Sequence, residues 1–344
     1  MRRGRWLALA ALPALLLAGD YFYWRLSADR LRTGFDAWTQ RAEASGWTVR
    51  HGAVITGGWP DAVSLRVSNF TVAATGARGI MAGWTSGAVL LRIRLTRPET
   101  LEIIPSGPNT LRFNGGPPVP ITADHINLRL PLRLNGVPRG VDLEVIAPSA
   151  DISGSGVFQA ASLSAHADLT ANPARDQPAV TFSAGAHLIS IPDKSHFALG
   201  TMVEDVNLEG TVNNPIPPGA DLSARARSWR DGGGSLDLRA LAVRWGPAQI
   251  DATATLALDD DLQPMGTGTS KIVGFDAALD AMADKSILRK SAVRAAKAML
   301  SLLADSPGEG KPEEVEVPLT LQYRTLSVGQ VPLARLPELT WPSP

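Results

Sequence analysis

From Trp47 to about Phe275, apolar residues recur at every second position in run after run. Val89, Leu91, Ile93 and Leu95 alternate with Leu90, Arg92, Arg94 and Thr96. Ile126, Leu128, Leu130, Leu132 and Leu134 alternate with Asn127, Arg129, Pro131 and Arg133. Val141 to Val145, Val180 to Ala184 and Ile250 to Leu258 repeat the pattern. A period of two sends successive side chains to opposite faces of a strand, and one apolar face means half-burial in an antiparallel sheet. Turn formers separate the runs: Asn213-Asn214-Pro215, Asp231-Gly232-Gly233-Gly234, Asp259-Asp260-Asp261 and Asn114 to Pro118. No helix of crossover length lies between them, which argues against a parallel sheet. The predicted fold is mainly β, with curved antiparallel sheet or sheets of many strands.

The stretch SGWTVRHGAVITGGWPDAVSLRVSNFTVA, residues 45–73, shows how such a sheet turns. Trp47, Val49, His51 and Ala53 share one face, and so do Val63, Leu65 and Val67. After Asn69 the apolar phase flips to Phe70 and Val72, which predicts a bulge or bend. Gly57-Gly58-Trp59-Pro60 then reads as a hairpin corner rather than a ligand clamp. Between Phe158 and Ala186 the inward positions become smaller, and the loop from Asn172 to Pro178 is the best internal boundary.

The N-terminus has a different logic. Arg2, Arg3 and Arg5 precede an apolar stretch from Trp6 to Trp24, 19 residues long, close to the ~20 that a helix needs to cross a bilayer. The cluster Tyr21-Phe22-Tyr23-Trp24 suits a membrane interface. A cleavable signal peptide is the rival reading, but Leu16 stands where a cut after Ala18 would want a small residue. The sequence therefore predicts a membrane anchor over 1–25. A juxtamembrane helix over 26–46 follows, with Leu31, Phe35, Trp38 and Ala42 on one face, Ser27 as N-cap and Gly46 beyond its end. Residues 47–344 form the β-rich domain, with a helical insertion near 276–304.

Little chemistry is visible. The 33 Lys plus Arg balance the 33 Asp plus Glu, so no net field favours nucleic acid. The absence of cysteine excludes disulfides, thiolate zinc sites, iron–sulfur clusters and cysteine nucleophiles. His51, His125, His166, His187 and His196 lack close metal-ligand spacing. There is no Gly-x-Ser-x-Gly elbow, Gly308 to Lys311 lacks the rest of a phosphate loop, and Gly266-x-Gly268 stops short of a dinucleotide fingerprint. Asp259 to Asp261 lacks the spacing of a calcium loop and reads as a solvated turn. No catalytic, cofactor-binding or metal residue is expected, and the chain reads as a non-enzyme. Arg289, Lys290, Arg294 and Lys297 give the helical insertion a basic flank: a solvated face, or a contact for anionic headgroups.

Several stretches together resemble a known bacterial family. They are the anchor, residues 46–73, the run GGGSLDLRALAVRWGPAQIDATATLALDDDLQPMGTGTSKIVGF with its Trp245-Gly246-Pro247, and the closing LTLQYRTLSVGQVPLARLP. The ensemble resembles the chiefly alphaproteobacterial domain of unknown function twenty-one twenty-five, and that family is distantly similar to AsmA-like envelope proteins. The resemblance implies an inner-membrane, single-pass protein with the bulk of the chain in the periplasm. By analogy it also implies phospholipid handling. No catalytic residues come with it. Two functions stay open. In one, an apolar β groove containing Ile126, Leu128, Leu130, Leu132 and Leu134 binds or conducts phospholipid. In the other, a self-covered sheet serves as a structural or assembly factor for envelope proteins.

Overall fold

The computed structural model describes residues 3–76, 79–113, 115–132, 139–192, 197, 199–217, 221–284, 293–294, 297–298, 304–305, 314–328, 331–339 and 341. Among the described residues the helices are α1 (Arg3–Ala44), α2 (Leu222–Asp231) and α3 (Phe275–Asp284), with further helical residues at 293–294 and 297–298. The first strands are β1 (Trp47–Arg50), β2 (Val54–Gly57), β3 (Ala62–Gly76), β4 (Gly79–Arg94), β5 (Arg97–Phe113), β6 (Val119–Thr122) and β7 (His125–Pro131). Then come β8 (Gly140–Ile146), β9 (Ser149–Ile152), β10 (Gly156–Gln159), β11 (Ser162–Leu169), β12 (Pro178–Ser190), β13 (Met202–Asn213), β14 (Leu236–Trp245) and β15 (Ala248–Leu258). The last are β16 (Pro264–Val273), β17 (Ala304–Asp305), β18 (Glu314–Gln322), β19 (Thr325–Val328) and β20 (Val331–Arg335). Pairing is antiparallel throughout the described ladders, as the alternating pattern predicts. The chain divides into two compact units, Met1–Pro118 with Asn127–Pro138, and Val119–Ile126 with Arg139–Pro344.

In the first unit the sheet order is β2, β3, β4, β5, β7, with β1 continuing β2 along the far half of β3. Register aligns Leu65, Leu91, Ile103 and Leu128 in one cross-strand row, and Val63, Ile93, Leu101 and Leu130 in the next. Residues paired in register share a face, so these rows form one apolar surface. Helix α1 packs on it through Leu31, Phe35 and Ala42 against Leu65, Val67 and Val89. Under the helix, Leu65 and Val63 are 0% and 1% exposed.

The phase flip after Asn69 is real and runs across the sheet from β1 and β2 to β5. Asn69 has φ 49° and Gly107 has φ 77°, and Asn69 lies level with Gly87 between the pairs Ser68–Ala88 and Phe70–Ser86. The β4–β5 register shifts at the same level. β1 gives way to β2 across His51 to Ala53. One bend line thus crosses the strands, and Phe70, Val72 and Trp84 rejoin the surface of Leu65 and Val89 beyond it. Gly57 to Pro60 is the β2–β3 hairpin corner.

A continuous α1 spans both the expected anchor and the expected juxtamembrane helix. Among the described residues no helix is long and apolar enough to cross a membrane. The side chains of residues 1–16, most of the expected anchor, lie outside the described residues.

In the second unit, β8, β11, β12, β13, β14, β15, β16, β18, β19 and β20 follow one another, with β17 on β18 and β9 joining β6 to β10. The loop from Asn172 to Pro178 is only the β11–β12 connection within this unit. Helix α3, with Phe275 and Leu279, covers Val315, Val317 and Ile272. The rest of the expected insertion up to residue 304 lies largely outside the described residues. Helix α2 was not expected. It begins at Asp221, whose side chain accepts from the Ala224 N–H, and Trp229 ties it to the end of β13 by donating to the Asn213 carbonyl at 2.9 Å. The tail is fastened by Gln263, which exchanges hydrogen bonds with the Leu339 backbone at 3.0 and 2.9 Å.

Candidate functional site

The four described residues of the predicted groove fall in two different units. Ile126 falls in the second unit and Leu128, Leu130 and Leu132 in the first, while Leu134 lies outside the described residues. Leu128 and Leu130 are half-buried and continue the rows of Ile103 and Leu101. Their polar neighbour Asn127 is the buried one on this strand.

A longer apolar surface lies in the second unit, where register assembles it from residues far apart in sequence. Ala165, Ala184, Leu208, Leu241, Ala252, Ser270 and Val317 form one cross-strand row. Val145, Leu163, Ala186, Val206, Val243, Ile250, Ile272 and Val315 form a parallel one. Val315 and Val317, under α3, are 0% and 1% exposed. From β11 to β14 the same rows stay half-buried. The centre is lined by small side chains. At Gly210, a Cβ would come within 2.7 Å of the Phe182 ring, so the aromatic ring occupies the space that a larger residue would need.

The opposite, polar face carries the ionisable groups that sequence spacing could not pair. His166 holds Asp142 at 2.6 Å through Nδ1 and Asp168 at 2.8 Å through Nε2. Both nitrogens can donate only in the imidazolium, and these hydrogen bonds, Asp142 first, raise its pKa. Farther along the same face, Ser162, His187 and Asp205 stand on three adjacent strands. His187 Nδ1 meets Asp205 at 2.7 Å, yet no hydrogen bond joins Ser162 to His187, and the imidazole is half in solvent, 52% exposed. The residue types of a hydrolase are adjacent there without an activated nucleophile. Among the described residues no group of three or more His, Asp and Glu converges on a point where a metal could sit.

In the first unit the polar face is organised by Glu102, which accepts from Arg92 at 2.7 Å and Arg94 at 3.3 Å. Burial pushes its carboxyl up, but the two guanidinium groups outweigh that and hold it below the ordinary value. Beside this cluster, Ile55 to Gly58, Ala62, Ser64, Arg66, Leu90 and Arg92 line an open cleft of ≈ 430 Å³. The basic flank expected on the helical insertion is partly neutralised: Lys297 pairs with Asp280 at 2.8 Å and Asp276 at 3.1 Å. Arg289 and Lys290 lie outside the described residues.

No curated protein matches the chain. Residues 24–337 match the bacterial family described as "uncharacterized protein conserved in bacteria". A match over that much of the sequence is decisive, and the chain is a member of the DUF2125 family.

Proposed function

We propose that this chain is a membrane-anchored envelope protein of the bacterial periplasm that holds lipid acyl chains on the apolar β face of its second unit, without covalent chemistry. The observation that carries the reading is the half-buried state of the rows from β11 to β14. Where α1 or α3 covers equivalent rows, exposure falls as low as 0–1% at Leu65, Val63, Val315 and Val317, so a covering layer can bury aliphatic side chains of these sheets fully. An acyl chain along Leu208 and Leu241 would supply that layer, each buried methylene contributing about 0.8 kcal/mol. The anchor reading is supported by the basic N-terminus, the apolar run to Trp24 and the exposed aromatics Tyr21, Phe22 and Tyr23. The distant resemblance of the family to AsmA-like envelope proteins, read from the sequence alone, would point the same way by analogy.

The test is a photoreactive phenylalanine analogue in place of Leu241, irradiated in living cells, with the exposed position of Arg239 on the same strand as control. Lipid adducts at 241 and none at 239 are expected. Protein adducts alone at 241 would transfer the function to an assembly factor whose partner covers this face.

A further inference from the structure

The cleft of the first unit lies at the end of the sheet that faces the aromatic part of α1. Ala62 lines the cleft, and its carbonyl accepts the Trp24 indole N–H at 2.9 Å. The corner residue Trp59 donates to Asp20 at 3.0 Å and meets Tyr21 edge-on, ring centroids 6.1 Å apart. Trp59 itself is 44% exposed, beside exposed Tyr21, Phe22 and Tyr23. Exposed tryptophan and tyrosine clustered at the end of an apolar helix mark the level of lipid headgroups. The β2–β3 corner is fastened at that level, and the cleft opens next to it.

The cleft's charge is one-sided. Its lining contains two arginines and no carboxylate. Arg92 is paired with Glu102 at 2.7 Å. Arg66 is exposed and has no hydrogen-bond or ion-pair partner among the described residues. Around them the walls are small or apolar: Gly57, Gly58, Ile55 and Leu90. An unpaired guanidinium offers a planar fork of donors that suits a phosphate. A nucleic acid would require a far more extended basic surface than this.

We propose that this cleft binds the phosphate of an anionic phospholipid headgroup, with Arg66 as the principal ligand and Arg92 as the second cation. The proposal rests on the anchor reading above, because it takes its ligand from the membrane that α1 enters. It assigns a headgroup site separate from the acyl-binding face of the second unit.

The full chain would be reconstituted in nanodiscs of phosphatidylcholine containing a minority of phosphatidylglycerol. Lipids retained on the released protein are then counted by native mass spectrometry. Enrichment of phosphatidylglycerol over its bulk share is expected. Arg66→Gln should reduce that enrichment about tenfold, the worth of one charge-assisted hydrogen-bonding group. Arg66→Lys should retain part of it, and Arg239→Gln in the second unit all of it. Undiminished enrichment in Arg66→Gln overturns the site. Inorganic phosphate binding in detergent solution, Arg66-dependent and with no preference for phosphatidylglycerol in the nanodisc, would make this a soluble-anion site and also overturns it. Carbonate extraction of cell membranes separates the two readings. Release of the wild-type chain removes the anchor and the headgroup site together, whereas retention of the chain with unaltered lipid in Arg66→Gln removes the site alone.

Discussion

Glu102 and His166 show how differently a single charge behaves on these two polar faces. Glu102 is 9% exposed and held by two arginines, so Glu102→Gln should cost about 2 kcal/mol at neutral pH through weakened charge-assisted hydrogen bonds. Because its folded pKa lies below the ordinary value of 4.5, the contribution is present above that value and is lost as pH falls through the folded pKa. Urea melts of wild type and Glu102→Gln should therefore converge on acidification. His166 has the opposite sign. Its pKa is raised above 6.5, so its contribution is complete below that value and disappears as pH rises through the folded pKa. The side chain is 44% exposed, and solvent keeps the effect small. Its NMR titration should still sit above that of an ordinary histidine, and should return towards 6.5 in Asp142→Asn.

At the scale of elements, the bend line through Asn69, Gly87 and Gly107 keeps one surface apolar along strands as long as β5, with 17 residues. Gly107 isolates the backbone part of this device. A Cβ there would meet only the Gly87 Cα at 3.5 Å, but its φ of 77° disfavours any L side chain. Gly107→Ala should lower stability by about 1–2 kcal/mol, readable as a shifted urea midpoint with an unchanged m-value. The bend was legible in the sequence because an apolar residue left its expected parity at Phe70. The strands were legible for the same reason. Helix α2 was not: its apolar residues are too sparse for a period, and its only signals were Asp221 in front and Gly232-Gly233 behind. Register was equally hidden. Asp142 and His166 are 24 residues apart, and alternation says which face a residue takes but not which residue lies opposite.

At the scale of the whole chain, that limit explains why the longer apolar surface of the second unit was not legible in the sequence. The run from Ile126 to Leu134 was conspicuous because its aliphatics are consecutive in sequence. The longer surface is spread over strands whose individual contributions, Ala165, Ala184 and Ala252 among them, look weak in isolation. Only when cross-strand rows are laid side by side does their length appear. The same rows bear on how the chain acquires its structure. From β12 to β16 each strand pairs with the one made just before it, so ladder formation there closes only the loops between successive strands. A chain emerging N-terminus first can add these strands one at a time in order of emergence, and no strand from β12 to β15 has to keep its edge open for a late one.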